Sequence, residues 1–307
     1  MDITALFNMM PGAAAQGLIW GIMAIGVYLT YKILDVADLT VDGTMCTGGA
    51  VFIMLTMAGV PMVLALLGAF LAGMLAGLAT GFFHTVCGIP AILAGILTQL
   101  ALYSVNLRIM GQANQPISFR SYDLLVSSRN VKSLSLENPI LIGVIFAAVI
   151  IALLYWFFGT ELGCSLRATG ANANMARAQG INTNVAKVLG LMLSNGLVAL
   201  SSALLAQYQG FADVNMGRGA IVIGLAAVII GEVLFSKIFH NFALLLLSVV
   251  IGSVLYYVVY NVVIWLGLNT DDMKLITALI VALFLSIPYW KGKYFSKSSK
   301  KGAASHA

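Results

Sequence analysis

The sequence predicts an all-α polytopic membrane protein with about eight to ten transmembrane helices. Three observations carry that class. Of 307 residues, 61% are hydrophobic and only 9% are charged, and the mean hydropathy is +0.99. A soluble domain of that composition could not cover its surface with polar groups. Several apolar windows reach the roughly 20 residues that a helix needs to cross a bilayer. Those windows lack the alternating pattern of barrel strands, so helices must satisfy the backbone in lipid.

Helices are expected near 15–33, 40–59, 61–82, 88–108, 138–158, 185–207, 219–236, 242–266 and 274–290, with 1–14 open to being a short interfacial helix. Residues 1–290 form one transmembrane domain and 291–307 a basic tail. No Lys or Arg precedes Lys32, so the first span lacks the basic flank of a cleaved signal and is expected to be retained. Gly17 and Gly21, and Gly73, Gly77 and Gly81, repeat at four-residue spacing and suit close helix contacts rather than chemistry.

The segment 31–50 is unusual, because Lys32, Asp35, Asp38 and Asp42 fall between two apolar runs. Lys32 and Asp35 fit a solvated inner interface. Asp42-Gly43-Thr44 stands deeper, where a span should have begun, and a glycine-interrupted helix with polar groups is how transporters expose backbone to a translocation path. Thr40, Asp42, Gly43 and Thr44 are therefore the candidate path residues. Gln99, Asn195 and Asn261 lie inside apolar spans, where an interhelical hydrogen bond is the ordinary role. Glu232 stands near the end of its span as an interfacial acid, a partner for Lys237 or a contact with another protein.

Two connections are long and polar, 109–137 and 159–184. The first carries Arg120, Asp123, Arg129 and Lys132, with Arg108 beside it, and is either a solvated loop or a docking rim. In the second, Asn172 suits an N-cap and Gly180 a C′ position, so 172–180 is expected to form a two-turn helix with Met175 projecting. Met175 and Arg177 would then be its apolar and polar contacts with a partner groove.

Lys291, Lys293, Lys297, Lys300 and Lys301 place the C-terminal tail in the cytoplasm by the positive-inside rule. Counting back, 159–184 is also cytoplasmic and the N-terminus outside. The net charge of +5 follows from this topology and anionic lipid, with no need for nucleic acid. Cys46, Cys87 and Cys164 are odd in number and far apart, which argues against a disulfide framework or a metal site. No GxxxxGK[ST], HExxH or GxSxG occurs, and His84, His240 and His306 are scattered, so no catalytic centre is expected.

Three stretches carry a resemblance. ELGCSLRATGANANMARAQGINTNVAKV resembles the cytoplasmic coupling segment of bacterial ABC-importer permeases of the branched-chain amino acid/ribose permease family, matching at Gly163, Arg167, Ala168, Gly170, Asn172, Ala176, Gly180 and Ile181. DLTVDGTMCTGGAV (38–51) is similar to the family's D-L-S-V-G-S and N-F-A-H-G-D segments. GAIVIGLAAVIIGEVLF (219–235) resembles its A-A-V-V-I-G-G segment, with Glu232 in place of a glycine.

The resemblance implies a type II-like ABC importer permease in the bacterial plasma (inner) membrane. Its expected partners are a second copy as a homodimer, a cytoplasmic ABC ATPase dimer and an extracytoplasmic substrate-binding protein. No cofactor is expected in this chain, since ATP and Mg belong to the ATPase. Arg167, Ala168, Gly170, Asn172, Met175, Ala176, Arg177 and Gly180 would couple to that ATPase. The implied substrate is a small polar solute, an amino acid and in one subgroup an aromatic one. A sugar or nucleoside importer of the same family and an ion-coupled secondary transporter are the alternatives, the latter motivated by Asp42 beside a broken helix.

Overall fold

The computed structural model describes residues 3–118, 122, 124–128, 131, 138–235, 238–239, 241–267, 275, 277–279, 281–283 and 286. The helices are α1 (Ile3–Tyr28), α2 (Val41–Met57), α3 (Met62–Thr85), α4 (Ala91–Met110), α5 (Pro139–Phe157), α6 (Glu161–Ala171), α7 (Ala173–Ala178), α8 (Thr183–Gln209), α9 (Ala220–Phe235) and α10 (Phe242–Trp265). Among the described residues, six stretches are long and apolar enough to cross a membrane, and α2 and α9 are shorter apolar helices. Local chemistry sets the boundaries. Asn138, Asn182 and Asn241 accept hydrogen bonds from the first free N–H groups of α5, α8 and α10. Pro61 and Pro90 precede α3 and α4 in extended conformation.

Helix α1 starts well before the expected residue 15. Leu6, Met9 and Met10 carry its apolar character past Pro11, whose missing N–H removes one bond from the ladder. Beyond Tyr28 the chain continues as a π-helical turn, Leu29–Ile33, which the apolar pattern did not show. The expected span 274–290 lies largely outside the described residues, as do Arg120, Asp123, Arg129, Lys132, Lys237 and the tail 291–307.

Helices α1 and α8 are the centre of the bundle. Their apolar windows are 83% and 72% buried, against 22% for α4 and 28% for α5, which present leucine and isoleucine outward. Helix α8 packs on α1, α2 and α3, and α1 carries α9, α10 and α5. Hydroxyls stitch these contacts. Ser194 and Ser201 donate to the Gly26 and Ile19 carbonyls of α1, each at 2.7 Å, and Ser202 donates to the Met45 carbonyl of α2. The glycine spacings do what was expected of them. A Cβ at Gly73 or Gly77 would collide with α8 backbone, and one at Gly17 with Val254 of α10.

One end of the bundle carries a two-stranded antiparallel sheet, β1 (Asn114–Pro116) with β2 (Phe211–Asp213), continued by the Ile117 N–H to the Gly210 carbonyl at 2.9 Å. The other end carries α6 and α7. The connection 109–137 and the stretch after α8 gave no strand signal in sequence, because three-residue strands have no measurable alternation.

Candidate functional site

Three regions hold polar chemistry: a network at the start of α2, two cavities beside α9, and the α6–α7 end. The network is built on the break between the π turn and α2. Asp38 is 3% exposed, and its carboxyl accepts from the Thr40 N–H at 2.9 Å and from Asn195 Nδ2 at 2.7 Å. Asn195 Oδ1 in turn accepts from Thr44 Oγ1 at 2.7 Å. Thr40 Oγ1 shares a hydrogen bond with Thr80 Oγ1 at 2.6 Å, and Thr80 donates to Thr98 at 2.9 Å. Six side chains from the α2 entry and from α2, α3, α4 and α8 thus satisfy one another away from lipid, as buried polar groups must. Asn195 fills the anchoring role its sequence context suggested. Asp38 was legible only as one carboxylate among several.

Asp42, one turn on, has a different partner. Its two carboxylate oxygens accept from the Gly219 and Ile221 N–H groups, both at 3.0 Å, so it caps the N-terminus of α9 from a neighbouring helix. Thr40 and Thr44 are enclosed in the network, whereas Asp42 and Gly43 line a cavity of about 260 Å³ with Cys46, Gln99, Asn106 and Arg218. Among the described residues, Asn106 Oδ1 is buried there without a hydrogen-bond partner.

A larger cavity of about 760 Å³ lies on the other side of the α9 N-terminus. Trp20 of α1, Tyr256, Tyr257 and Tyr260 of α10, Gln16 and Arg218 are among its walls. The aromatic rings form a chain, with Trp20 and Tyr260 each 5.8 Å from Tyr257 and Tyr256 5.6 Å from it. Arg218 lines both cavities, and among the described residues its guanidinium has no ion-pair partner. Sequence reasoning missed this aromatic wall and Arg218. The available signal was the run YYVVYN at 256–261, in which Tyr256 and Tyr257 stand four and three positions before Tyr260, the spacings that share a helix face.

At the opposite end, the expected short helix is present as α7. Asn172 Oδ1 accepts from the Asn174 and Met175 N–H groups at 3.1 and 3.0 Å, and Gly180 closes it with φ +82° and the Ile181 N–H on the Ala176 carbonyl. Met175 projects, at 65% exposure, while Ala176 is buried. Arg177 turns back, its Nε donating to Thr183 Oγ1 at 2.9 Å. Arg167 also faces the bundle: its guanidinium carbon sits 4.3 Å from the centre of the Phe242 ring and 5.2 Å from that of Phe158. Gly170 rests on the π turn, where a Cβ would collide with the Ile33 carbonyl. Ala168 is half-buried between them.

Glu232 pairs with Lys32 of the π turn, Nζ to Oε1 at 2.6 Å, whereas Lys237, the partner expected from sequence, lies outside the described residues. The chain returns α9 beside the end of α1, which brings together two residues 200 positions apart in sequence. Among the described residues, no group of three or more His, Cys, Asp and Glu is placed to hold a metal ion.

Comparison with known proteins is consistent along the chain. Residues 9–286 match the family described as "Branched-chain amino acid transport system / permease component". The chain is 41% identical over 271 residues to a tyrosine transport system permease protein of Clostridioides difficile, covering 88% of each. It is 29% identical over 213 residues to the galactofuranose transporter permease protein YtfT of Escherichia coli, covering 68% of this chain and 60% of that one. Its fold is similar to PsaBC from Streptococcus pneumoniae, solved in complex with Fab, with a TM-score of 0.55 at 17% identity over 96% of this chain and 99% of that one. The chain belongs to the branched-chain amino acid transport system permease family and is a multi-pass ABC-importer permease rather than an enzyme.

Proposed function

We propose that this chain is the transmembrane subunit of an ATP-driven importer for an amino acid, in which α6 and α7 receive the push of a cytoplasmic ABC ATPase. The observation that carries the proposal is the α6–α7 unit itself. It offers an exposed Met175 outward and is clamped to the bundle through Arg167 and Gly170. Met175 is an adaptable apolar contact for a groove in a partner. Behind it, Gly170 bears on the π turn, Lys32 of that turn holds Glu232 of α9, and the same turn leads to the Asp38–Asn195 network. Force at α7 therefore has a packed route to both cavities. A switch of this kind works only if the ATPase contacts differ between two states of the permease.

In this reading the α6–α7 end and the C-terminal tail face the cytoplasm, and the sheet end faces the substrate-binding protein. A second copy of the chain completes the pathway. ATP and Mg stay with the ATPase, as the sequence suggested. The amino-acid substrate rests on the 41% identity to a protein named for tyrosine transport, while the weaker similarity to a galactofuranose permease keeps a sugar as the second reading. Family membership disfavours the ion-coupled carrier. The test is affinity purification of the full-length chain from detergent-solubilised membranes. An ABC ATPase should co-purify in equal amount, and purification of the chain without one refutes the proposal.

A further inference from the structure

We infer that the larger cavity is a substrate site of the permease itself, built for an amino acid with an aromatic side chain; this rests on the amino-acid reading above. A translocation path could be a featureless channel, with all selectivity left to a separate binding protein. This cavity is not featureless. At about 760 Å³ it lies within the range of ligand pockets, and four of its lining residues are aromatic. Trp20, Tyr256 and Tyr257 are each at most 8% exposed, so their rings are held in place by packing rather than free to fold away.

Two polar features are left over for a ligand. The Tyr256 hydroxyl is buried and, although Thr277 stands beside it, has no partner of hydrogen-bonding geometry among the described residues. Such a group is costly unless something fills its need. Arg218 brings a guanidinium to the rim, and among the described residues no carboxylate is in ion-pair contact with it. That fork suits a carboxylate and has nothing equivalent to offer an uncharged sugar. The ligand that satisfies all of this is a zwitterion with a planar ring. Its carboxylate meets Arg218, its ring stacks on Trp20 and Tyr257, and a polar atom reaches Tyr256. Its ammonium is compatible with the surrounding aromatic faces, which attract cations. Because Arg218 also lines the smaller cavity beside Asp42, it can hand the carboxylate from one chamber to the next.

The experiment is equilibrium binding of radiolabelled L-tyrosine to the purified full-length permease with its ATPase and without binding protein. L-tryptophan, L-leucine and galactose serve as competitors. Saturable binding is expected, displaced best by L-tryptophan, more weakly by L-leucine and not by galactose. Arg218→Ala should weaken it at least about tenfold and Arg218→Lys less. Tyr256→Phe, which keeps the ring, should weaken it roughly two- to tenfold. The inference is overturned if the wild type does not bind L-tyrosine, if galactose competes as well as L-tryptophan, or if Arg218→Ala and Tyr256→Phe bind like the wild type. ATP-driven L-tyrosine uptake by a permease that fails these tests refutes the cavity site and leaves the importer standing. Absence of any amino-acid uptake refutes the importer reading instead.

Discussion

Replacing Asn195 by Ala tests whether the polar network at the α2 break holds the bundle together. The side chain makes three hydrogen bonds: to Asp38 Oδ2 at 2.7 Å, to the Leu191 carbonyl at 3.0 Å and from Thr44 Oγ1 at 2.7 Å. The Leu191 bond lies within α8, and interhelical bonds in membranes average about 0.6 kcal/mol, so the other two contribute about 1 kcal/mol. Asp38 Oδ2 would also lose its donor while 3% exposed, and an orphaned buried acceptor adds roughly 1–3 kcal/mol. Thr44 suffers less, since its hydroxyl already donates to the Thr40 carbonyl at 3.1 Å. The expected loss is about 2–4 kcal/mol. Asn261→Ala is the control, because among the described residues Asn261 Nδ2 bonds only the Tyr257 carbonyl one turn away at 2.9 Å, and it should lose under about 1 kcal/mol. Denaturant-induced unfolding in mixed micelles reads both. An Asn195→Ala loss no larger than that of Asn261→Ala refutes the network's structural role.

Other outcomes follow from the α6–α7 end. Met175→Glu, at a 65% exposed position, should leave stability within about 0.5 kcal/mol yet abolish ATPase co-purification. Gly170→Ala should both destabilise the fold and uncouple ATP hydrolysis from transport, since its Cβ meets the Ile33 carbonyl; coupled transport at wild-type rate contradicts the π-turn contact. The Lys32–Glu232 pair is part-exposed, so either single neutralisation should change stability by no more than about 1 kcal/mol, and any larger transport defect should be rescued by the charge swap Lys32→Glu with Glu232→Lys. Arg167→Ala should lower stability by about 0.5–2 kcal/mol through loss of the Phe242 and Phe158 contacts, measured by thermal unfolding.

The helices were legible because a bilayer imposes one length and one backbone solution. One helix start was legible where Asn declares it, at Asn172, whereas the caps at Asn138 and Asn182 emerged only in the structure. The π turn and the strand pair were not, since each is short and depends on its neighbours: Gly170 seats the first, and β2 is the partner of β1. At the site, spacing pointed to Asp42 but not to its partner. That carboxylate caps a helix some 180 residues later in the chain, at Gly219 and Ile221, a contact no local pattern encodes. Arg167 shows the same limit. Its position matched a coupling motif, while its stacking on Phe242 depends on how α10 returns to the α6–α7 end. The aromatic wall was hidden because tyrosine and tryptophan in an apolar span read as ordinary lipid-facing residues.

The central claim is ATP-driven amino-acid import, and its most direct measurement is uptake into proteoliposomes holding the permease and its ATPase, with ATP inside and binding protein and labelled L-tyrosine outside. Accumulation should require ATP, persist when ion gradients are collapsed by an uncoupler, and be lost in Met175→Glu. Uptake that survives without ATP, or that collapses with the uncoupler, contradicts the account.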